Sequence, residues 1–332
     1  MDWEVLLSGM RSRVIVVVGD LMLDRFIWGH VSRISPEAPV PVVEVDQDSS
    51  YPGGAANVAR NLREFCDEVR LLGLVGKDPA GEELLRLLDE GGIKHSTVLR
   101  SSEVMTTVKT RVLARQQQVV RVDREKMINW TPELRRECES KLAQAIQGAD
   151  AVLFEDYAKG FIDQNLVNKA VELAPGKVLS ADPNPRNSLR WRGFTVVKPN
   201  LTEAVQLTSL VKGPPAPGQS FALGELGKTL LDYWECQQVL ITRGEDGMSL
   251  FIQPGQQGSL EEFHAPAKKR DVFDVSGAGD TAISLYTLAL LESGDPQLAA
   301  RVATAASGLV VTKLGTAKVG VEELLVELQK TA

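Results

Sequence analysis

Short runs of β-branched residues alternate along most of this chain with stretches of helical periodicity. That alternation constrains the fold more than any other feature. Val14–Val18 consists of Val and Ile alone and stops at Gly19-Asp20; a strand buried on both faces reads this way. Comparable runs are Val69–Val75, Ala151–Phe154, Lys177–Ala181, Thr195–Val197 and Val239–Thr242. Between them, helical patterns cover Ala55–Phe65, Gly81–Glu90, Pro132–Gln147, Asp163–Leu173, Thr202–Leu207 and Leu223–Glu235. The pattern predicts βαβ units and an α/β fold: a central, mostly parallel sheet flanked by helices on both faces. Such sheets bind ligands beyond the carboxyl ends of their strands, so a motif placed just after a strand carries extra weight.

Two segments break the alternation. Phe26–Val45 reads as short strands punctuated by Pro36, Pro39 and Pro41, and Thr106–Asp123 as a hairpin around Gln116-Gln117-Gln118. Neither is followed directly by a crossover helix. Together they are expected to form a small antiparallel sheet that projects as a lid, from about 26–45 and 106–123. Its open edge would favour a homodimer. The Pro/Gly-rich stretch Lys212–Ser220 is too short for an interdomain linker, so residues 1–332 read as one domain.

Composition narrows the partners. The chain has 332 residues, 43% of them hydrophobic and 24% charged, which fits a globular core rather than disorder. A formal charge of −7 argues against a nucleic-acid surface but leaves room for a local basic pocket. Cys66, Cys138 and Cys236 form no CxxC pair, and His30, His95 and His264 have no metal-ligand spacing. Asp2 and Glu4 lie in a start that lacks a cationic, then apolar, signal pattern. Ile283–Leu291, the longest mostly apolar stretch, is far short of the ~20 residues a membrane span needs. A cytoplasmic protein without membrane or nucleic-acid partners is expected.

The densest chemical signal is Asp274-Val275-Ser276-Gly277-Ala278-Gly279-Asp280-Thr281, followed by an apolar helical pattern over Ala282–Leu291. Small residues at 276–279 allow a ligand close to the backbone. The N–H groups of Gly277, Ala278 and Gly279 would lie at a helix N-terminus, which favours an anion. Asp280 beside an anion site is explained by a general base that deprotonates an attacking hydroxyl. The same pattern also fits an aspartate capping a helix after a glycine turn. A dinucleotide fingerprint, Gly277-x-Gly279-x-x-Ala282, lies too late in the chain and lacks the following acid. Gly227-Lys228-Thr229 imitates the end of a P-loop, but Ala222 replaces the first glycine and the stretch is helical.

Taken together, these motifs resemble the ribokinase (PfkB) sugar-kinase family. Asp274–Thr281 looks like its C-terminal signature and Gly53-Gly54-Ala55-Ala56-Asn57 like its N-terminal one. Lys198-Pro199-Asn200 with Glu203 looks like its NxxE magnesium motif, and Thr242-Arg243-Gly244 through Gly247 like its nucleotide-phosphate loop. All four occur in the family's order across nearly the whole chain. A narrower likeness is to the heptose 7-phosphate kinases of ADP-heptose and lipopolysaccharide synthesis. It rests on Gly19–Asp24, Val31–Val42, Val112–Gln118 and Asp156-Tyr157-Ala158-Lys159-Gly160. Some of those kinases carry a second, nucleotidyltransferase domain; this chain is expected to be a stand-alone kinase or the kinase half of a bifunctional enzyme.

The resemblance implies a ribokinase-like fold and ATP-dependent phosphorylation of the anomeric hydroxyl of D-glycero-D-manno-heptose 7-phosphate, with Asp280 as base. Asp24 and Asn57, beside Gly53 and Gly54, would hold sugar hydroxyls. Lys109 and Arg111 alternate along one hairpin strand and so share a face, and Arg121 lies on the returning strand. These cations, with Lys159, would hold the phosphosugar. Asn200 and Glu203 supply hard oxygens for Mg²⁺, mostly through water. Asn200, Arg243, Gly244, Gly247 and Gly279 would meet the nucleotide. Asp274, Ser276 and Gly315 stand where related kinases bind a monovalent cation such as K⁺. Alternatives are a kinase for another sugar and a non-catalytic sugar-binding protein on the same fold.

Overall fold

In the computed structural model, residues 2–115, 117–216, 218–253, 260–313 and 317–330 are described. Helix α1 (Trp3–Gly9) is capped by Asp2, whose carboxylate accepts two amides of the first turn. Strand β1 (Val14–Gly19) follows and runs straight into two long strands, β2 (Leu21–Ile34) and β3 (Pro41–Gly54), the latter entering α2 (Ala55–Arg63) without a loop. Next come β4 (Glu68–Leu72), β5 (Leu74–Gly76), α3 (Pro79–Glu90) and β6 (Leu99–Ser101), then the hairpin β7 (Thr107–Ala114) and β8 (Gln117–Arg124). The middle of the chain gives α4 (Pro132–Ile146), β9 (Ala151–Glu155), α5 (Gln164–Leu173), β10 (Val178–Asp182), β11 (Val196–Val197), α6 (Leu201–Lys212) and α7 (Leu223–Trp234). The last elements are β12 (Gln238–Thr242), β13 (Met248–Ile252), β14 (Glu261–Ala265), α8 (Ala278–Ser293), α9 (Pro296–Val310) and α10 (Val321–Gln329).

Eight strands form the central sheet in the order β14-β13-β12-β11-β10-β9-β1-β4. All neighbours from β4 to β12 are parallel, and β13 and β14 add an antiparallel edge. Side chains alternate across this sheet, as strand geometry requires. Ile15 and Val17 enter the core beneath α2, α8 and α9, whereas Val16 and Val18 enter the opposite core with Phe154, Trp191 and Trp234. These four side chains are buried, so the Val/Ile run has a hydrophobic layer to fill on either face. Each such side chain contributes about 1.5–3 kcal/mol by leaving water. Helix α8 is buried from Asp280 to Leu290, which explains why its sequence is apolar on every side. Among the described residues no helix is long and apolar enough to cross a membrane. All three cysteines are free and buried, and burial pushes each thiol up to about 12.

Three features depart from the sequence expectation. The run Val69–Val75 splits at Gly73, where a Cβ would lie 2.4 Å from Leu21 Cγ; its second half, β5, pairs with β6 in a separate small sheet. The projecting sheet begins at Leu21 rather than Phe26, and its strand β3 runs on to Gly54 and directly into a helix. It is mixed rather than antiparallel: the order is β3-β2-β7-β8, and the central pair β2–β7 is parallel. The expected turn residue Gln116 lies outside the described residues.

Candidate active site

Two neighbouring parallel strands end in acids. Glu155 closes β9 and is in register with Gly19 on one side and Asp182, the last residue of β10, on the other. Asp280, in the first turn of α8, completes a group of three carboxylates whose oxygens lie within 4.8 Å of one another. Like charges held this close raise each other's pKa, and burial adds to the effect. Glu155 is held well above the usual carboxylate range by burial and then by the charges of Asp182 and Asp280. Burial pushes Asp182 up to about 6 although Lys198 Nζ lies 2.8 Å away. Burial pulls the Lys198 amine down, but the Asp182 ion pair outweighs it and leaves the amine above its ordinary value. Among the described residues Glu155 Oε2 is buried with no hydrogen-bond partner, and the set of hard oxygens suits a divalent cation.

Asp280 is fixed from two sides. Asn57 Nδ2, on α2, donates to Asp280 Oδ2 at 2.6 Å, and Tyr157 Oη donates to Oδ1 at 3.3 Å. Burial pushes the carboxyl up to about 6, against the Asn57 hydrogen bond. The group is therefore ionised at neutral pH yet more basic than an ordinary aspartate, which suits proton abstraction. Gly277 makes the approach possible. It has φ of +80°, and a Cβ there would press to 3.1 Å against Asn57 Nδ2. The first amides of α8 have no intrahelical acceptor, although Ala278 N–H donates to Val275 O at 3.2 Å. A Cβ on Gly279 would lie 3.5 Å from Lys198 Nζ, so the helix N-terminus sits directly over the Lys198–Asp182 pair.

On the four-stranded sheet, Asp24 is buried and bonded to Arg111 Nη1 at 2.5 Å. Gly53 leaves it room, since a Cβ there would stand 2.2 Å from Asp24 Oδ2. Gly54 marks the junction of β3 with α2. Register places Asp24 beside Lys109 and Arg111 opposite Arg121, so all four share one face, as the alternation predicts. Lys109 Nζ lies 4.7 Å from the Tyr157 ring centroid, and burial pulls its amine below the ordinary value. Arg121 is half exposed and paired with Asp123 at 2.9 Å. Lys159 is bonded to Glu125 at 2.6 Å.

A cleft of about 440 Å³ opens on the other side of the 277–279 turn, lined by Gly244, Gly247, Val275, Gly279, Ser307 and Val311. Arg243 borders it in sequence and donates through Nη2 to Asp246 O at 3.0 Å. Asn200 and Glu203 form a reciprocal capping box at the start of α6, Asn200 Oδ1 accepting from Glu203 N–H and Glu203 Oε2 from Asn200 N–H. The pair therefore caps α6, and Glu203 is still close enough to raise the Asp182 pKa. Asp274 Oδ1 accepts from Ser276 N–H at 2.9 Å. Gly315 lies outside the described residues. Contacts thus link Asp280 to Asn57 and, through Tyr157, to Lys109, and Asp24 to Arg111, while Gly244, Gly247 and Gly279 line the cleft.

Sequence reasoning gave no role to Glu155, Asp182, Tyr157 and Asp20, although the last two lie in motifs it singled out. The first two follow strand runs, at the carboxyl ends where ligands bind, and that placement was the available signal. Asp20 accepts hydrogen bonds from the N–H groups of Tyr157, Lys159 and Phe161, tying the turn after β9 to the end of β1.

The pfkB family carbohydrate kinase profile matches residues 12–323. Curated relatives named "Bifunctional protein HldE" are similar across nearly the whole chain. One from Desulfatibacillum aliphaticivorans is 38% identical over 95% of this chain and 63% of its own length. One from Caulobacter vibrioides is 39% identical over 94% and 63%, and one from Helicobacter pylori (strain J99) 37% identical over 96% and 66%. The chain thus spans a little under two thirds of these relatives. Among solved structures, phosphofructokinase-2 from Escherichia coli in complex with potassium superposes with a TM-score of 0.75 at 16% identity, covering 97% of this chain and all of its own. Ribokinase from Thermotoga maritima gives 0.71 at 19%, covering 96% and 99%. These structures establish a ribokinase-like fold. A profile spanning nearly the whole sequence, on that fold, places this chain in the pfkB family of carbohydrate kinases.

Proposed function

We propose that this chain is a kinase domain that transfers the γ-phosphoryl group of ATP to the anomeric hydroxyl of D-glycero-D-manno-heptose 7-phosphate, giving the 1,7-bisphosphate and ADP. The observation that carries the reading is Asp280, buried and aligned between a hydroxyl-binding face and an anion-favouring helix start. In this reading Asp24 and Asn57 hold sugar hydroxyls, and Arg111 orients Asp24. Lys109, with Arg121 and Lys159 nearby, meets the phosphate already on the sugar. Asp280 takes the proton from the anomeric oxygen, which attacks the γ-phosphorus in line. The amides of the 277–279 turn and Lys198 stabilise charge on the transferred group. The choice of sugar is supported by the motifs shared with heptose 7-phosphate kinases and by relatives over 35% identical along the chain.

Asn200, Glu203, Asp182 and Glu155 would hold the magnesium ion of MgATP, which neutralises phosphate charge when bound. Asp274 and Ser276 are the residues described that would hold a potassium ion beside the turn. The four-stranded sheet acts as a lid and, through its outer face, as a dimer contact. ATP turnover across a panel of heptose 7-phosphate, free heptose, ribose and fructose 6-phosphate tests the assignment. The heptose 7-phosphate is expected to be preferred by kcat/KM. Preference for another sugar would keep the kinase and replace the substrate, and no turnover with any sugar would favour a binding protein.

A further inference from the structure

Tyr157 touches both ends of the sugar site at once. Its hydroxyl donates to Asp280 Oδ1, and the Lys109 ammonium, on a different sheet, lies over its ring face. The backbone that carries it is locked. Asp20 accepts the Tyr157 N–H at 2.8 Å, the Lys159 N–H at 3.1 Å and the Phe161 N–H at 3.2 Å. Asp156 Oδ1 accepts the Ala158 N–H at 2.8 Å, and Trp130 Nε1 donates to Gly160 O at 2.9 Å. Burial raises the phenol well above its ordinary pKa, so it is a neutral donor under all working conditions.

The two oxygens of Asp280 are held unequally. Oδ2 has a bond of 2.6 Å to Asn57, and Oδ1 a longer one of 3.3 Å to Tyr157. Asn57 alone would leave the carboxylate free to rotate about that single contact. A second donor fixes its plane, and with it the lone pair presented to a substrate hydroxyl. We propose that Tyr157 is a positioning residue that couples the projecting sheet to the base: Lys109 holds the ring, and the ring's hydroxyl holds Asp280 Oδ1. A cation over a phenol face is attracted to the ring and draws electron density from it, which strengthens donation by the hydroxyl. The inference rests on Asp280 as the base, but it does not depend on which sugar is the substrate.

The test is a double-mutant cycle on kcat, measured with whichever sugar the wild type turns over fastest. Tyr157→Phe keeps the ring and removes the donor; kcat is expected to fall about tenfold, the size of one hydrogen bond to a charged group. Lys109→Met is expected to lower kcat by several-fold alone. In the Tyr157→Phe background it should change kcat by less than about twofold, because its effect passes through the missing hydroxyl. An unchanged KM for ATP verifies that each variant is folded. Multiplicative losses in the double variant, or a Tyr157→Phe enzyme with wild-type kcat, would overturn the coupling. The sugar KM reports separately on the phosphate contact. Lys109→Met should raise KM for a phosphorylated sugar in both backgrounds, and equal KM effects on phosphorylated and free sugars would overturn that assignment of Lys109, with the coupling still decided by kcat.

Discussion

As the proposed base, Asp280 stands under two opposing demands, since burial favours the neutral acid and proton abstraction needs the anion. Its pKa of about 6 is where the two meet. Asp280→Asn is expected to retain ATP and sugar binding and lose roughly 10²–10⁴-fold in kcat, measured by coupled ADP release. The raised pKa also has a stability consequence. The folded-state value of about 6 exceeds the unfolded 3.8, so the folded chain retains this proton at pH values where the unfolded chain has released it. That contribution is fully present below about pH 4 and lost as pH rises through 6. The melting temperature of Asp280→Asn relative to wild type should therefore climb between pH 4 and 7 and level off above. A constant difference across that range would mean that Asp280 is not a desolvated carboxylate. At this scale the sequence was readable where residue type and local pattern coincide, as for Asp280 after its glycine turn and Asn57 after Gly53-Gly54. It assigned no role to Glu155, Asp182 or Tyr157, because their meaning comes from convergence with residues distant in sequence, such as the Tyr157–Asp280 contact.

Elements were legible in proportion to how far their environment is set by neighbours in sequence. Val14–Val18 became a strand because both its faces are covered, which a continuous apolar run announces. Val69–Val75 carries the same composition but breaks at Gly73, where Leu21 from another strand passes too close for a side chain. The outermost strand β14 has little sequence signature, since Glu261–Ala265 is mostly exposed and lacks a buried face to pattern it. Helix α6 offers a functional test at this scale. Its capping box accepts Gln as well as Glu at the third position, so Glu203→Gln removes the charge while preserving the cap. That variant should need several-fold more Mg²⁺ for half-maximal rate, with its melting temperature and sugar KM close to wild type. A loss of sugar affinity at unchanged Mg²⁺ requirement would place Glu203 with the sugar instead.

For the molecule as a whole, the central sheet contributes Glu155 and Asp182, the start of α8 contributes Asp280, and the projecting sheet carries Asp24, Lys109, Arg111 and Arg121. The projecting sheet has a second face. Val112, Val120 and Val122 point away from Lys109 and Arg111 by strand register, and Val122 is 55% exposed. Exposed valines on a sheet with an open edge favour pairing with a second copy. Wild type is accordingly expected to sediment as a dimer and Val122→Glu as a monomer, with catalysis by the monomer reduced if the lid is held in place by its partner. A monomeric wild type would remove the dimer from the account and leave the site intact. In the proposed reaction Asp280 directs phosphoryl transfer to the anomeric oxygen of a 7-phosphorylated heptose. Phosphorus NMR of the reaction with ATP measures it most directly. Wild type is expected to form a new sugar-phosphate resonance coupled to the anomeric proton, and Asp280→Asn to form it roughly 10²–10⁴-fold more slowly. A second phosphate on any other carbon, or the same product formed at a comparable rate by Asp280→Asn, would contradict it.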